Sequence, residues 1–530
     1  LVAVWPSGNE SFQGAEEGIT AIFNKKRVAM QAGQENLEIR NSSERTAPHD
    51  IKTKEFSGTA LEIARLNQAL NDTTVEVVVA DLGEVELNDN LGIGIPDPKL
   101  FRDYRVFYPS TVVEALANLF KEYNAQFQSL ADANSETDQS YRYNYQQGST
   151  INHFVQIDMM GLPEPFLAHA TDASVDAVEA VLRSRVFEIE NSIAAYHLLG
   201  NIFNTETDTV SLFDHEFRKR LAELRDQYKK PIALLAVTQE KYDSMLSFEF
   251  GKNPGEELTN EEVMMKTGFD VFMGPKEFLD HLEQNQGESG YLLYVRASAP
   301  TERLKDPRIR VDNPLLSDAR VRQVIQENSL TFNIDDPEGC FDRKINDTKA
   351  YLVPMQMAYK IDSFADLLHP DFIEYMNTKR ATWEGYQGST RLAPGFAHYL
   401  ESRGVSISDV EDGTVMLRAK PEKEAYGCYG HARGSISNRK FKGEVRKGIE
   451  RRGSYVVQPE MEMPSIKNTF DDTQFTYVDR NFFAMTDRGP VFMGGFRAMM
   501  SVDSREAKNG RIHGSPETIW AEILPADRFE

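Results

Sequence analysis

The spacing of apolar and polar positions changes several times along the chain, and each change predicts a new element. From 58 to 72, "GTALEIARLNQALND" repeats apolar residues every three to four positions, the period of a helix with one buried stripe. It runs straight into "TVEVVVADL" (74–82), a strand-sized block of β-branched residues, so helix then buried strand is expected here. Polar, turn-rich "ADANSETDQSYRYNYQQGST" (131–150) follows and predicts an exposed loop or linker. Helical spacing returns in "SVDAVEAVLRSRVFEIENSIAAYHLL" (174–199) and "LFDHEFRKRLAELRDQYKK" (212–230). Next come strand "PIALLAV" (231–237), helix "FMGPKEFLDHLEQ" (272–284), strand "YLLYVRAS" (291–298) and helix "DARVRQVIQEN" (318–328). Strands alternating with helices of this length predict a mostly parallel, Rossmann-like α/β layer.

The last third has another texture. "TVMLRAK" (414–420) and "SYVVQPEME" (454–462) predict strands on either side of a basic helix, "RKFKGEVRKGIERRG" (439–453). "QFTYVDRNFFAM" (474–485) and "GPVFMGGFRAMM" (489–500) predict a long hairpin turning around Asp487 to Gly489. The expected fold is therefore α/β and α+β multidomain, with an antiparallel sheet near the C-terminus. The expected boundaries are 1–150, an N-terminal α/β region; 151–335, a helical and α/β domain; and 336–530, an α+β domain.

At 530 residues, the chain exceeds what one hydrophobic core usually organises, and 40% apolar content is enough for ordinary cores. No apolar run approaches the roughly 20 residues that cross a bilayer, so no membrane span is expected. The opening "LVAVWPSG" lacks the charged leader of a signal peptide. The two cysteines, Cys340 and Cys428, lie far apart, supporting neither a disulfide framework nor a cysteine metal site and fitting a cytoplasmic home. With 82 acidic against 59 basic side chains, the net charge of −23 disfavours nucleic acid or anionic lipid as a general partner. Any anion site has to be local.

One local site stands out. In "TVMLRAK", period-two alternation sets Arg418 and Lys420 on one face, and Gly427, Gly430 and Gly434 follow in what reads as a loop. Glycines let successive backbone N–H groups approach an anion, so this pattern suits a phosphate; a flexible surface turn is the plain alternative. Downstream, Gln458, Glu460 and Glu462 alternate along a strand, either to meet ligand hydroxyls or a metal, or simply to protect a sheet edge with charge. A hairpin turn centred on Arg488 makes opposite residues sum to 976, which pairs Asp479 with Arg497, as a structural ion pair or as part of a catalytic site. Asn509 and Glu517 in "NGRIHGSPETIW" are hard oxygen ligands of a kind suited to magnesium, while His513 among glycines reads as a surface residue.

In their order, these pieces resemble the ATP-grasp superfamily over about 410–520: Lys420, the glycine loop, a helix, the "VVQPEME" strand, then Asp479, Arg497 and Asn509. The family's closing Glu-x-Asn motif is not present as such. The resemblance implies an ATP-dependent ligase joining a small-molecule or peptide carboxylate to an amine or thiol through an acyl phosphate. It implies ATP and Mg2+, with Arg418, Lys420, Gly427, Gly430, Gly434, Gln458, Glu460, Glu462 and Lys360 around the nucleotide. Asp479, Asn509 and Glu517 would hold the metal, and Arg497 and Lys420 would act in catalysis. A non-catalytic binding or assembly protein, or a kinase that stops at the acyl phosphate, are the alternatives.

Overall fold

The computed structural model describes residues 60–71, 74–77, 82–84, 99–135, 153–183, 185–190, 211–296, 315, 318–330, 406–421, 432–435, 438–441, 443–444, 447, 455–459, 463–468, 472–508, 512 and 517–528. All of these belong to one compact unit, Thr53–Glu530. The helices are α1 (Ala60–Asn71), α2 (Ser110–Ser135), α3 (Glu164–Thr171), α4 (Val175–Leu182), α5 (Leu212–Tyr228), α6 (Gln239–Phe250), α7 (Asn260–Thr267), α8 (Pro275–Gln284), α9 (Ala319–Asn328), α10 (Ile407–Glu411) and α11 (Arg505–Lys508). The strands are β1 (Thr74–Val77), β2 (Leu82–Glu84), β3 (Lys99–Tyr108), β4 (Phe154–Met160), β5 (Val186–Glu190), β6 (Ile232–Ala236), β7 (Val271–Met273), β8 (Leu292–Arg296), β9 (Leu417–Pro421), β10 (Ala432–Gly434), β11 (Tyr455–Pro459), β12 (Ser465–Asn468), β13 (Gln474–Thr486), β14 (Gly489–Ser501) and β15 (Ile519–Pro525).

The architecture is mixed α/β. A nine-stranded mixed sheet runs β1-β12-β13-β14-β15-β3-β2, and β4 pairs with both β13 and β5. Its spine is the hairpin β13–β14 of two 13-residue strands, buried through most of β13 and through Met493–Met500 of β14. The register from Phe475↔Ser501 to Asn481↔Gly495 follows the sum of 976, and Asp479 does face Arg497. Nearer the turn the sum falls to 975, as in Phe483↔Phe492 and Thr486↔Gly489. The extra residue sits on β14, where Gly494 takes φ +91, a left-handed angle that glycine adopts without the Cβ clash. The bulge moves the turn to Asp487–Arg488 without altering the far register.

Two elements differ from the expectation. The helix expected across 174–199 ends at Leu182, and "VFEIE" forms β5 antiparallel to β4. Its apolar positions alternate at period two, a signal too short to separate from helical spacing in a longer run. The expected helix over 272–284 begins only at Pro275, because Val271–Met273 is a strand. Strands from all three expected ranges, β1 to β3, β4 and β5, and β12 to β15, share the nine-stranded sheet. Long-range parallel pairs such as Ile519↔Lys99 and Thr74↔Ser465 close it.

The parallel layer is present as β7-β6-β8. Helix α5 lies between the two sheets. Phe213 meets Phe482 and Phe496 of the large sheet at ring-centroid distances of 4.7 and 5.7 Å, while Phe217 reaches Tyr294 of the parallel sheet at 6.2 Å. Each of these fully buried phenylalanines contributes about 1.5–3 kcal/mol relative to exposure. The opposite face of the large sheet is covered by α1 to α4 through Leu66, Leu116, Phe120, Phe166 and Val178. A third sheet, β10-β9-β11, is antiparallel. Among the described residues, no helix is long and apolar enough to cross a membrane.

Candidate functional site

The strand carrying Arg418 and Lys420 is the centre of that third sheet. β10 pairs with it on one side (Arg433↔Arg418, Gly434↔Leu417), and β11 on the other (Gln458↔Arg418, Val456↔Lys420). The antiparallel order brings Gln458 opposite Arg418, although 40 positions separate them in sequence. Gly434 is not in a loop: it is buried in β10, where a Cβ would come within 2.7 Å of the Phe441 Cβ. Its lack of a side chain serves packing of the strand against the turn of helix beginning near Arg439, which Asn438 caps by accepting from the Lys440 N–H at 2.8 Å. Gly427, Gly430, Glu460, Glu462, Lys360, Asn509 and His513 lie outside the described residues. Glu517 is exposed in the turn before β15.

Asp479 and Arg497 meet in the sheet interior, both fully buried. Arg497 donates from Nε to Asp479 Oδ1 at 2.7 Å and from Nη2 to Oδ2 at 2.8 Å, the two-pronged geometry in which guanidinium and carboxylate bind most strongly. Tyr108 adds an O–H bond to Asp479 Oδ2 at 2.7 Å, and the Leu162 N–H another at 2.9 Å. Arg497 donates further to the Tyr104 hydroxyl at 3.0 Å and to the Leu162 carbonyl at 2.6 Å, and its Cζ lies 4.1 Å from the centroid of the Tyr477 ring. Burial works against the Arg497 charge, but Asp479, Tyr104 and Tyr477 outweigh it and hold its pKa well above the usual arginine value. Burial pushes the Tyr104, Tyr108 and Tyr477 hydroxyls up, so all three remain neutral.

This geometry bears on two expected roles. A metal ligand needs a lone pair facing open space, and the Asp479 carboxylate accepts four hydrogen bonds with no exposed surface. Arg497, fully buried and donating to three partners, has no open side on which to meet a transferring phosphoryl group. The pair is a buried scaffold element. Of the other two expected metal ligands, Glu517 is exposed and Asn509 lies outside the described residues.

A second buried pair went unread in the sequence. On the other face of β13, Arg480 Nη2 lies 3.2 Å from Asp158 Oδ2, and Gln156 Nε2 donates to Asp158 Oδ1 at 2.7 Å. Strand β4 carries both acceptor and donor, "FVQIDMM", with Gln156 and Asp158 two apart in an otherwise apolar strand. That alternation was the signal available. Half-buried Glu164, the first residue of α3, also belongs here: burial raises its pKa, Arg497 partly offsets this, and its carboxylate is hydrogen-bonded to Tyr104.

The sequence matches no family model and no curated protein. Among solved structures, the apo form of a glutathione synthetase like-effector from Globodera pallida is similar over 91% of this chain and 100% of that one, at 10% identity and a TM-score of 0.28. At that distance the likeness carries nothing about fold or function.

Proposed function

We propose that the chain is an ATP-dependent ligase of the ATP-grasp kind, joining a carboxylate to an amine or thiol. The observation that supports this reading is the β10-β9-β11 sheet: a central strand bearing Arg418 and Lys420, a glycine-bearing connection to one neighbour, and Gln458 in register with Arg418 on the other. In this reading Arg418 and Lys420 hold the nucleotide phosphates, the backbone around Gly427 and Gly430 approaches them, and the Gln458–Glu462 segment takes adenine and ribose. The γ-phosphoryl group passes to a substrate carboxylate oxygen as ADP leaves. The amine nitrogen then attacks the acyl carbon, the C–O bond to phosphate breaks, and the amine loses a proton. Cations near the transferring group and precise positioning supply most of the catalysis in such a reaction.

The buried state of Asp479 and Arg497 favours a second reading, a nucleotide-independent binding protein in which these polar groups serve the fold alone. Thermal unfolding with and without Mg·ATP separates the two. An upward shift of the midpoint is expected, and no shift at millimolar nucleotide sinks the ligase reading. Phosphate release that depends on added amine or thiol then distinguishes a ligase from a kinase.

A further inference from the structure

The Asp479–Arg497 pair does more than neutralise itself. Both of its members bind the backbone of one residue: the Leu162 N–H donates to Asp479 Oδ2 at 2.9 Å, and the Leu162 carbonyl accepts from Arg497 Nη2 at 2.6 Å. Leu162 lies at the corner between the end of β4 at Met160 and the start of α3 at Glu164, beyond the ladder and before the helix. Backbone groups buried at such a corner have no regular partner and must find one. The cap residue Pro163 has no N–H and makes no side-chain cap bond. The ion pair thus supplies, from side chains, the donor and acceptor that an adjacent strand would otherwise supply.

A third connection runs through Tyr104 of β3. Its hydroxyl accepts from Arg497 Nη1 at 3.0 Å and is bonded to the Glu164 carboxylate. We infer that Asp479, Arg497 and Tyr104 form a latch that fastens the β4–α3 corner to the hairpin, holding Leu162 at both ends of its backbone and Glu164 by its side chain. The corner is free to change position only when the ion pair lets go of the Leu162 backbone. This holds whether or not the chain is a ligase.

Hydrogen exchange of the full chain tests it, comparing a peptide over 160–167 with one over 232–236 in the parallel sheet. Tyr104→Phe keeps the ring and removes one arm; Arg497→Lys keeps the charge and removes the fork. Both variants are expected to exchange at least about tenfold faster at 160–167, with 232–236 unchanged, since local openings draw on the bonds of one corner and not on global unfolding. Unchanged exchange at 160–167 in both variants overturns the latch. So does an equal acceleration of both peptides, which would mean that the pair contributes only general core stability. Tyr104→Phe, the milder change, keeps the test decisive if Arg497→Lys folds poorly.

Discussion

Asp479 and Arg480 are neighbours in β13 and point to opposite faces of one sheet, so the two ion pairs form a natural comparison. On one face, Asp479 and Arg497 meet as a two-pronged pair with Tyr104, Tyr108 and the Leu162 backbone around them. On the other, Asp158 and Arg480 approach to 3.2 Å, with Gln156 donating to the same carboxylate, in a wall that includes Phe482 and Phe496. Removing two charges from water costs several kcal/mol per ion, and only good geometry plus added hydrogen bonds recovers it. The first pair meets that condition with every prong in use. The second is longer, at 3.2 Å against 2.7 Å. Burial alone therefore does not rank a charge; what surrounds it does.

The largest expected effect comes from splitting the better pair. Arg497→Met leaves Asp479 charged and buried, and should lower unfolding free energy by about 3–5 kcal/mol in urea titration. The double variant Asp479→Leu with Arg497→Met should recover most of that loss. Additive losses would mean the two residues contribute separately and the pairing is incidental.

Acid should come next. Burial, reinforced by the positive Arg220, lowers the His153 pKa to about 4. Folded His153 is therefore neutral where an unfolded histidine binds a proton, so stability falls as pH drops from about 6.5 and levels off below the folded value. The span corresponds to about 3 kcal/mol. His153→Gln should flatten this part of a stability-against-pH curve; a curve unchanged in the variant assigns the acid sensitivity elsewhere.

Splitting the weaker pair sharpens the comparison directly. Arg480→Met should cost about 2 kcal/mol, less than Arg497→Met under identical conditions, because its ion-pair contact is the longer one. Equal or reversed losses would break the ranking by local geometry. Glu164→Gln should have a smaller effect of opposite sign. Its folded pKa is raised, so the charged form is disfavoured in the folded state and stability is lost as pH rises through that value. The variant should match the parent in acid and exceed it at neutral pH, read by thermal unfolding at the two pH values. The smallest stability change is expected for Lys420→Ala, within about 0.5 kcal/mol. Calorimetric titration should nonetheless show weaker Mg·ATP binding, and unchanged affinity removes Lys420 from the proposed site.

Much of the local plan was legible in the chain itself. The 3.6 and 2.0 periods located α1, α5 and α9 and the strands β6, β8, β13 and β14, since each depends on a run long enough to display its own repeat. A turn centred on Arg488 gave the Asp479–Arg497 pairing; the actual turn at Asp487–Arg488 would by itself set Asp479 opposite Phe496, and the bulge at Gly494 restores Arg497. What counting could not supply was the bulge at Gly494, which moved the turn by one residue, or the exchange of helix for strand at β5, where four alternating residues were outweighed by their neighbours. Tertiary structure alone decided that β3 lies beside β15 and β1 beside β12, since parallel pairing across hundreds of residues leaves no periodic trace. It also decided that Asp158 meets Arg480, and that the Leu162 backbone completes the Asp479–Arg497 pair. A buried charge is defined by partners from distant strands and by backbone atoms common to every residue, and neither is written in the identity of the charged residue.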